Sequence, residues 1–108
     1  MTALAFALST LDGRLTAFPS IDTAEVRCAG AEVEKGMWLF FSEDGSPLEV
    51  RFRRPANGTY ALQRAMSGLW LQERLDQVKS VSGCGLATLP ELIELLKVNR
   101  GKRAARGI

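Results

Sequence analysis

The chain has 108 residues, 46% of them apolar and 24% charged, with a formal net charge of +2 and no histidine. That length fits one domain, able to bury roughly 60–70% of its unfolded surface without a disulfide or metal staple. Without histidine there is no Ser-His-Asp or Cys-His nucleophile pair, and two cysteines cannot complete a zinc site within one chain.

The first segment, Thr2 to Leu8, is apolar but has no basic residues before it, and Asp12-Gly13 interrupts it. It does not read as a signal peptide, no apolar run reaches the length of a membrane span, and the cytoplasm is the expected compartment. Leu4, Phe6 and Leu8 alternate with Ala3, Ala5 and Ala7, which suggests a strand turned back at Asp12-Gly13 through Arg14 to Phe18. A short buried helix over residues 3 to 11 fits the same letters.

Asp22 with Glu25 three residues on forms a capping-box pattern, with Ile21 and Val26 placed as a hydrophobic staple. The spacing predicts a helix from Asp22 to about Lys35, stopped by Gly36, with Val26, Ala29 (or Gly30) and Val33 inward. Cys28 reads as a small core residue on it.

Met37 to Gln63 reads as a three-stranded antiparallel meander. Met37 to Ser42 is apolar on both faces, Asp44-Gly45 is a hairpin signal, and Leu48 to Arg53 alternates with period 2. A two-residue turn sets Phe41 opposite Leu48, Leu39 opposite Val50 and Met37 opposite Phe52. The other face then carries Trp38 opposite Arg51 and Phe40 opposite Glu49. A three-residue loop, Ala56-Asn57-Gly58, pairs Phe52 with Leu62 and Arg54 with Tyr60. The Trp38/Phe40 face needs a covering layer or a partner.

After the break at Ser67-Gly68, Leu71, Leu75 and Val78 stand at helical spacing in a predicted helix over 69–81, although Leu69 to Leu71 could begin a fourth strand. Ser82 to Leu86 is a loop holding Cys84, which has no adjacent basic residue to lower its pKa. Thr88 to Glu91 is a second capping box, and Leu89, Leu92, Ile93 and Leu96 form the stripe of a final helix ending near Val98. The expected fold is α+β: an antiparallel sheet of three strands, or four or five, with helices packed on it. Residues 1–98 form one domain and 99–108 a basic, flexible tail.

No motif supports catalysis, a cofactor or a metal, so the expected function is that of a small non-catalytic binding module. Its partner is expected to be another protein or a second copy, and an inhibitor or immunity-type protein would look like this. The candidate binding residues are Trp38, Phe40, Arg51, Arg53 and Arg64. An arginine over Trp38 could form a cation–π pair, and a spare guanidinium could take a carboxylate or phosphate. Lys97, Arg100, Lys102, Arg103 and Arg106 face no acid from Lys97 onward, so the rest of the chain is net negative. That makes Arg100, Lys102, Arg103 and Arg106 candidate nucleic-acid contacts.

Leu48-Glu-Val-Arg51, Gly58-Thr-Tyr60-Ala-Leu62 and Thr88-Leu-Pro-Glu-Leu-Ile93 resemble, in order and approximate spacing, motifs of the Src-homology-2 family. The resemblance spans about residues 21 to 97 and implies phosphotyrosine-peptide binding, with Arg51 gripping the phosphate and Arg53 or Arg64 assisting. The chain departs from that family in having Glu49 where leucine is usual, no strand histidine, Thr23 near the place of a second arginine, and an additional apolar strand at 37–42.

Overall fold

The computed structural model describes residues 4–28, 32–33, 35–54 and 59–106. Its strands are β1 (Ala5–Ser9), β2 (Arg14–Phe18), β3 (Trp38–Ser42), β4 (Pro47–Arg54), β5 (Thr59–Arg64) and β6 (Ser80–Ser82). The helices are α1 (Ile21–Arg27) and α2 (Leu89–Arg106). The chain is α+β, and its six strands form one sheet in the order β5-β4-β3-β1-β2-β6. Every pairing is antiparallel except that of β2 with β6. The strand expected to turn back at Asp12-Gly13 forms β1 and β2, making five strands with the meander, and Ser80–Ser82 adds a sixth that was not expected.

The alternation in the first strand organises the layers. Phe6 and Leu8 join Leu15, Phe41, Leu71, Leu92 and Leu96 in one core cluster, on the α2 face. Ala5 and Ala7 join Ala24, Cys28, Val33, Phe40, Tyr60 and Leu62 in the other, on the α1 face. β1 is buried along its whole length. Methyl groups on one side let α1 lie close to the backbone, while bulky side chains fill the wider space under α2.

The α1 cap lies two residues earlier than expected. Ser20, not Asp22, is the N-cap, its Oγ accepting from the Thr23 N–H at 3.1 Å. The shift leaves Val26 83% exposed and turns Ala24 and Cys28 inward. The helix closes at Cys28 rather than Lys35. Glu32 and Val33 are helical again. Gly36 is the expected stop: at φ +74 it donates to the Val33 carbonyl, and the Met37 N–H reaches Glu32 O at 3.1 Å. Ala29 and Gly30 lie outside the described residues.

Both hairpin registers differ from expectation. Gly45 adopts φ +89, its N–H bonds Ser42 O, and the Ser42 N–H bonds Ser46 O at 2.8 Å. This is a three-residue loop with glycine at the left-handed position, and it sets Phe40, not Phe41, opposite Leu48. A one-residue slip moves side chains to the other face. Leu48, Val50 and Phe52 therefore pack with Trp38 and Phe40, not with Leu39 and Phe41. The second hairpin pairs Phe52 with Tyr60 and Val50 with Leu62, a two-residue slip that preserves faces. Its loop, Ala56-Asn57-Gly58, lies outside the described residues.

The helix predicted over 69–81 is absent. Two short 3₁₀ turns, Leu71–Glu73 and Leu75–Gln77, lead into β6. Leu71, Leu75 and Val78 nevertheless all reach the α2-face core, which is the demand their spacing encoded. The final helix starts as predicted, with Thr88 N–H and Oγ1–H donating to Glu91 and the Glu91 N–H returning to Thr88. It does not stop near Val98 but continues through Gly101 to Arg106.

The same cap sets a pH dependence. The Ala87 N–H first, then the Thr88 hydroxyl, hold the Glu91 carboxyl below its ordinary value of 4.5. A carboxylate depressed in the folded state stabilises the fold above its unfolded pKa, and that contribution fades as pH falls through the folded value. Melting temperature should therefore drop on acidification below about 4.5, and less steeply in Glu91→Gln, when the two are compared by circular dichroism.

Candidate interaction surface

The structure separates the candidate residues. Phe40 is 3% exposed, stacked at a tilt against Tyr60 (centroids 6.1 Å apart), and Tyr60 meets Phe52 in turn at 6.0 Å. Tyr60 Oη donates to Cys28 O at 2.8 Å. Burial first, then the nearby Cys28 and Glu25, push its phenol well above the ordinary range. Cys28 is held as a thiol, its pKa pushed up to about 11 by burial, with Glu32 adding to the shift. Trp38 is half-buried against the same cluster. The covering layer that this face needed is therefore α1 and the aromatic packing, so Phe40 is core.

Arg51 is exposed. Val50 and Phe52 on either side of it pack toward α1, so strand alternation sends Arg51 to the face opposite Trp38, and the expected Trp38–Arg51 stack is not made. Arg53 belongs to β4 and Arg100, Lys102, Arg103 and Arg106 to α2, but their side chains lie outside the described part.

Arg64 ends β5 and lines a hollow of about 440 Å³ with Pro47, Met66, Gly68 and Trp70. A second hollow of about 300 Å³ adjoins it, walled by Trp38, Leu39, Leu48, Leu69 and Arg74. Pro47, Ala65, Ser67 and Gly68 line both.

The segment between these hollows is held at its two ends. The Ala65 N–H donates to Pro47 O at 3.1 Å, and the Leu71 N–H to Gly45 O at 2.8 Å. Between them the chain swings outward, leaving Met66 98% and Leu69 47% exposed. Gly68, at φ +122, makes the bend beside Pro47. In the sequence Ser67-Gly68 marks only a break, so this loop does not stand out. Its signal was the apolar residues Met66, Leu69 and Trp70 in a turn where polar ones are usual.

The anchor itself is a polar knot in the β3–β4 turn. Asp44 is 1% exposed, and its Oδ1 accepts from Ser42 Oγ (2.6 Å), Ser46 Oγ (2.7 Å) and the Ser46 N–H (3.1 Å). Gln72 Nε2 donates to Asp44 O at 2.7 Å, and Asn99 Nδ2 on α2 to Glu43 O at 2.8 Å. A Cβ on Gly45 would come within 2.1 Å of Gln72 Oε1, so only glycine lets the side chain approach.

No group of three or more Cys, Asp or Glu side chains among the described residues is placed to hold a metal ion. No helix of the described residues is long and apolar enough to cross a membrane. No family model, curated protein or solved structure matches this chain.

Gln72→Ala removes the donation from Nε2 to Asp44 O. Gln72→Ala should cost about 1–2 kcal/mol by urea unfolding. The Leu71 amide should also exchange faster than the global loss accounts for, because the clamp loosens before the core. Unchanged Leu71 protection would show that the amide does not hold the loop.

Proposed function

We propose that the protein is a small non-catalytic module that binds another protein through the Met66–Trp70 loop. The observation that carries this reading is an apolar loop presented outward, yet held by backbone hydrogen bonds at both ends. An ordered apolar protrusion loses little conformational freedom on binding, whereas a slack one forfeits much of its contact energy. Arg64 and Arg74 stand beside the exposed Met66 and Leu69, so the partner surface that fits is an apolar depression with an acidic rim. The absence of histidine supports a role without acid–base chemistry near neutral pH.

The test is site-specific photo-crosslinking in the native cell. A photoreactive side chain at Met66 or Leu69 should trap one discrete protein, while the same group at Leu11 or Val26, exposed elsewhere, should not. Met66→Ala should then weaken the purified pair roughly tenfold, as loss of one anchor does. Equal trapping at all four positions would end the reading.

One observation favours a second reading. Because α2 runs unbroken to Arg106, Lys97, Arg100, Lys102, Arg103 and Arg106 share a single helix. Cations suit a helix C-terminus on dipole grounds alone, but five without an acid also match a phosphate backbone. Nucleic-acid affinity should then fall steeply with salt and vanish on truncation after Asn99, which spares the Asn99–Glu43 bond. Salt-insensitive binding, or binding that survives the truncation, would exclude it.

A further inference from the structure

The two edges of the sheet are unlike. β6 has three residues, while β5 has six, with no proline to interrupt them. An edge strand of that length is a template for another chain unless something occupies its outward groups. In β5 the pairing of Val50 with Leu62 and the donation of the Ala65 N–H to Pro47 O fix which groups face β4. The N–H groups of Leu62 and Arg64 therefore face outward.

One of these is taken by a side chain. Glu25 Oε2 accepts from the Leu62 N–H at 2.6 Å, in the position where a neighbouring strand would present a carbonyl. The reach is set by α1, which is pinned to β5 when Tyr60 Oη donates to the carbonyls of Cys28 and Ala24. A carboxylate on a backbone N–H is a charge-assisted bond, stronger than the amide–carbonyl bond that it displaces.

The geometry points to Glu25 as a guard on β5, whose removal opens this edge to β5 of a second copy of the chain. The occupant follows from the strand's own sequence. A two-fold axis through Leu62 sets Leu62 against Leu62, Ala61 against Gln63 and Tyr60 against Arg64 of the other copy. Once Glu25 is removed no like charges meet along the paired strands, since each Arg64 faces Tyr60 of the other copy, whereas in the native chain the two Glu25 carboxylates would be brought together at the Leu62 axis. The surface is β5 with α1, not the Met66–Trp70 loop, so this inference stands or falls apart from the proposed binding reading.

The test is solution mass by light scattering across concentration. The native chain and Glu25→Gln, which keeps an oxygen at the edge, should remain at one-chain mass. Glu25→Ala should rise to the two-chain mass, and adding Arg64→Pro should return it to one chain, because proline there deletes an outward N–H and no bond to β4. A folded Glu25→Ala chain that stays monomeric at about millimolar concentration, far above the Kd expected of a specific pairing, overturns the proposal. So does a dimer indifferent to Arg64→Pro. Should Glu25→Ala lose its fold, Glu25→Asp decides: its shorter carboxylate cannot span to Leu62, and a monomer then refutes the guard.

Discussion

Everything in this fold depends on burying both faces of β1. A strand of five residues with no exposed position must satisfy its backbone on both sides and offer two different surfaces. β2 and β3 supply the hydrogen bonds, in registers that place Phe6 against Ala17 and Phe41. The alanines at 5 and 7 admit α1 close to the sheet, and Phe6 and Leu8 hold α2 further away. Exchanging the two sets by a one-residue slip would bring bulky side chains under α1 and leave voids beneath Leu92 and Leu96. Either error costs a few kcal/mol, a large part of the stability of a domain this size.

The polar knot at Asp44 is the second constraint, and it converts the sheet into a platform. A carboxylate with 1% exposure is tolerable only because neighbouring hydroxyls and an N–H meet it. Those hydroxyls belong to Ser42 and Ser46, so the turn is rigid within itself. The turn's outward carbonyls then become fixed acceptors for Gln72, Leu71 and Asn99. The loop carrying Met66 and Leu69 owes its position to this turn, although it belongs to neither β3 nor β4.

Local signals in the sequence specify the structure where one stretch decides its own conformation. Thr88 and Glu91 cap each other because both lie within one turn, and Gly36 ends a helix because its φ is positive. The register of the first hairpin is not decided locally, because Asp44-Gly45 serves either a two-residue turn or a three-residue loop. The choice rests on the Ser42–Ser46 contacts across the turn. The stripe Leu71, Leu75, Val78 marks positions that reach the core but not their backbone, since two 3₁₀ turns and the residue after them present the same three side chains inward. Trp38 and Phe40 need a cover, but their sequence alone does not say whether it comes from α1 or from another chain. The exposure of Met66 depends on hydrogen bonds from Ala65 to Pro47 and from Leu71 to Gly45, and no short-range pattern encodes these.

The same sheet edge explains why one residue of α1 is acidic where the helix needs no charge. Glu25 is partly covered beside an aromatic cluster, a position where an apolar side chain would add to the core. Its carboxylate is neither a helix cap, a role filled by Ser20, nor a member of the one ion pair resolved among the described residues, which joins Arg14 and Asp12. What it does is end a sheet that would otherwise continue. Strand pairing is indifferent to side-chain identity at its outward N–H groups, so specificity has to come from an element outside the strand. In this chain that element is the helix placed over the edge by the small side chains of β1, and the constraint that shapes the core thereby also limits the sheet.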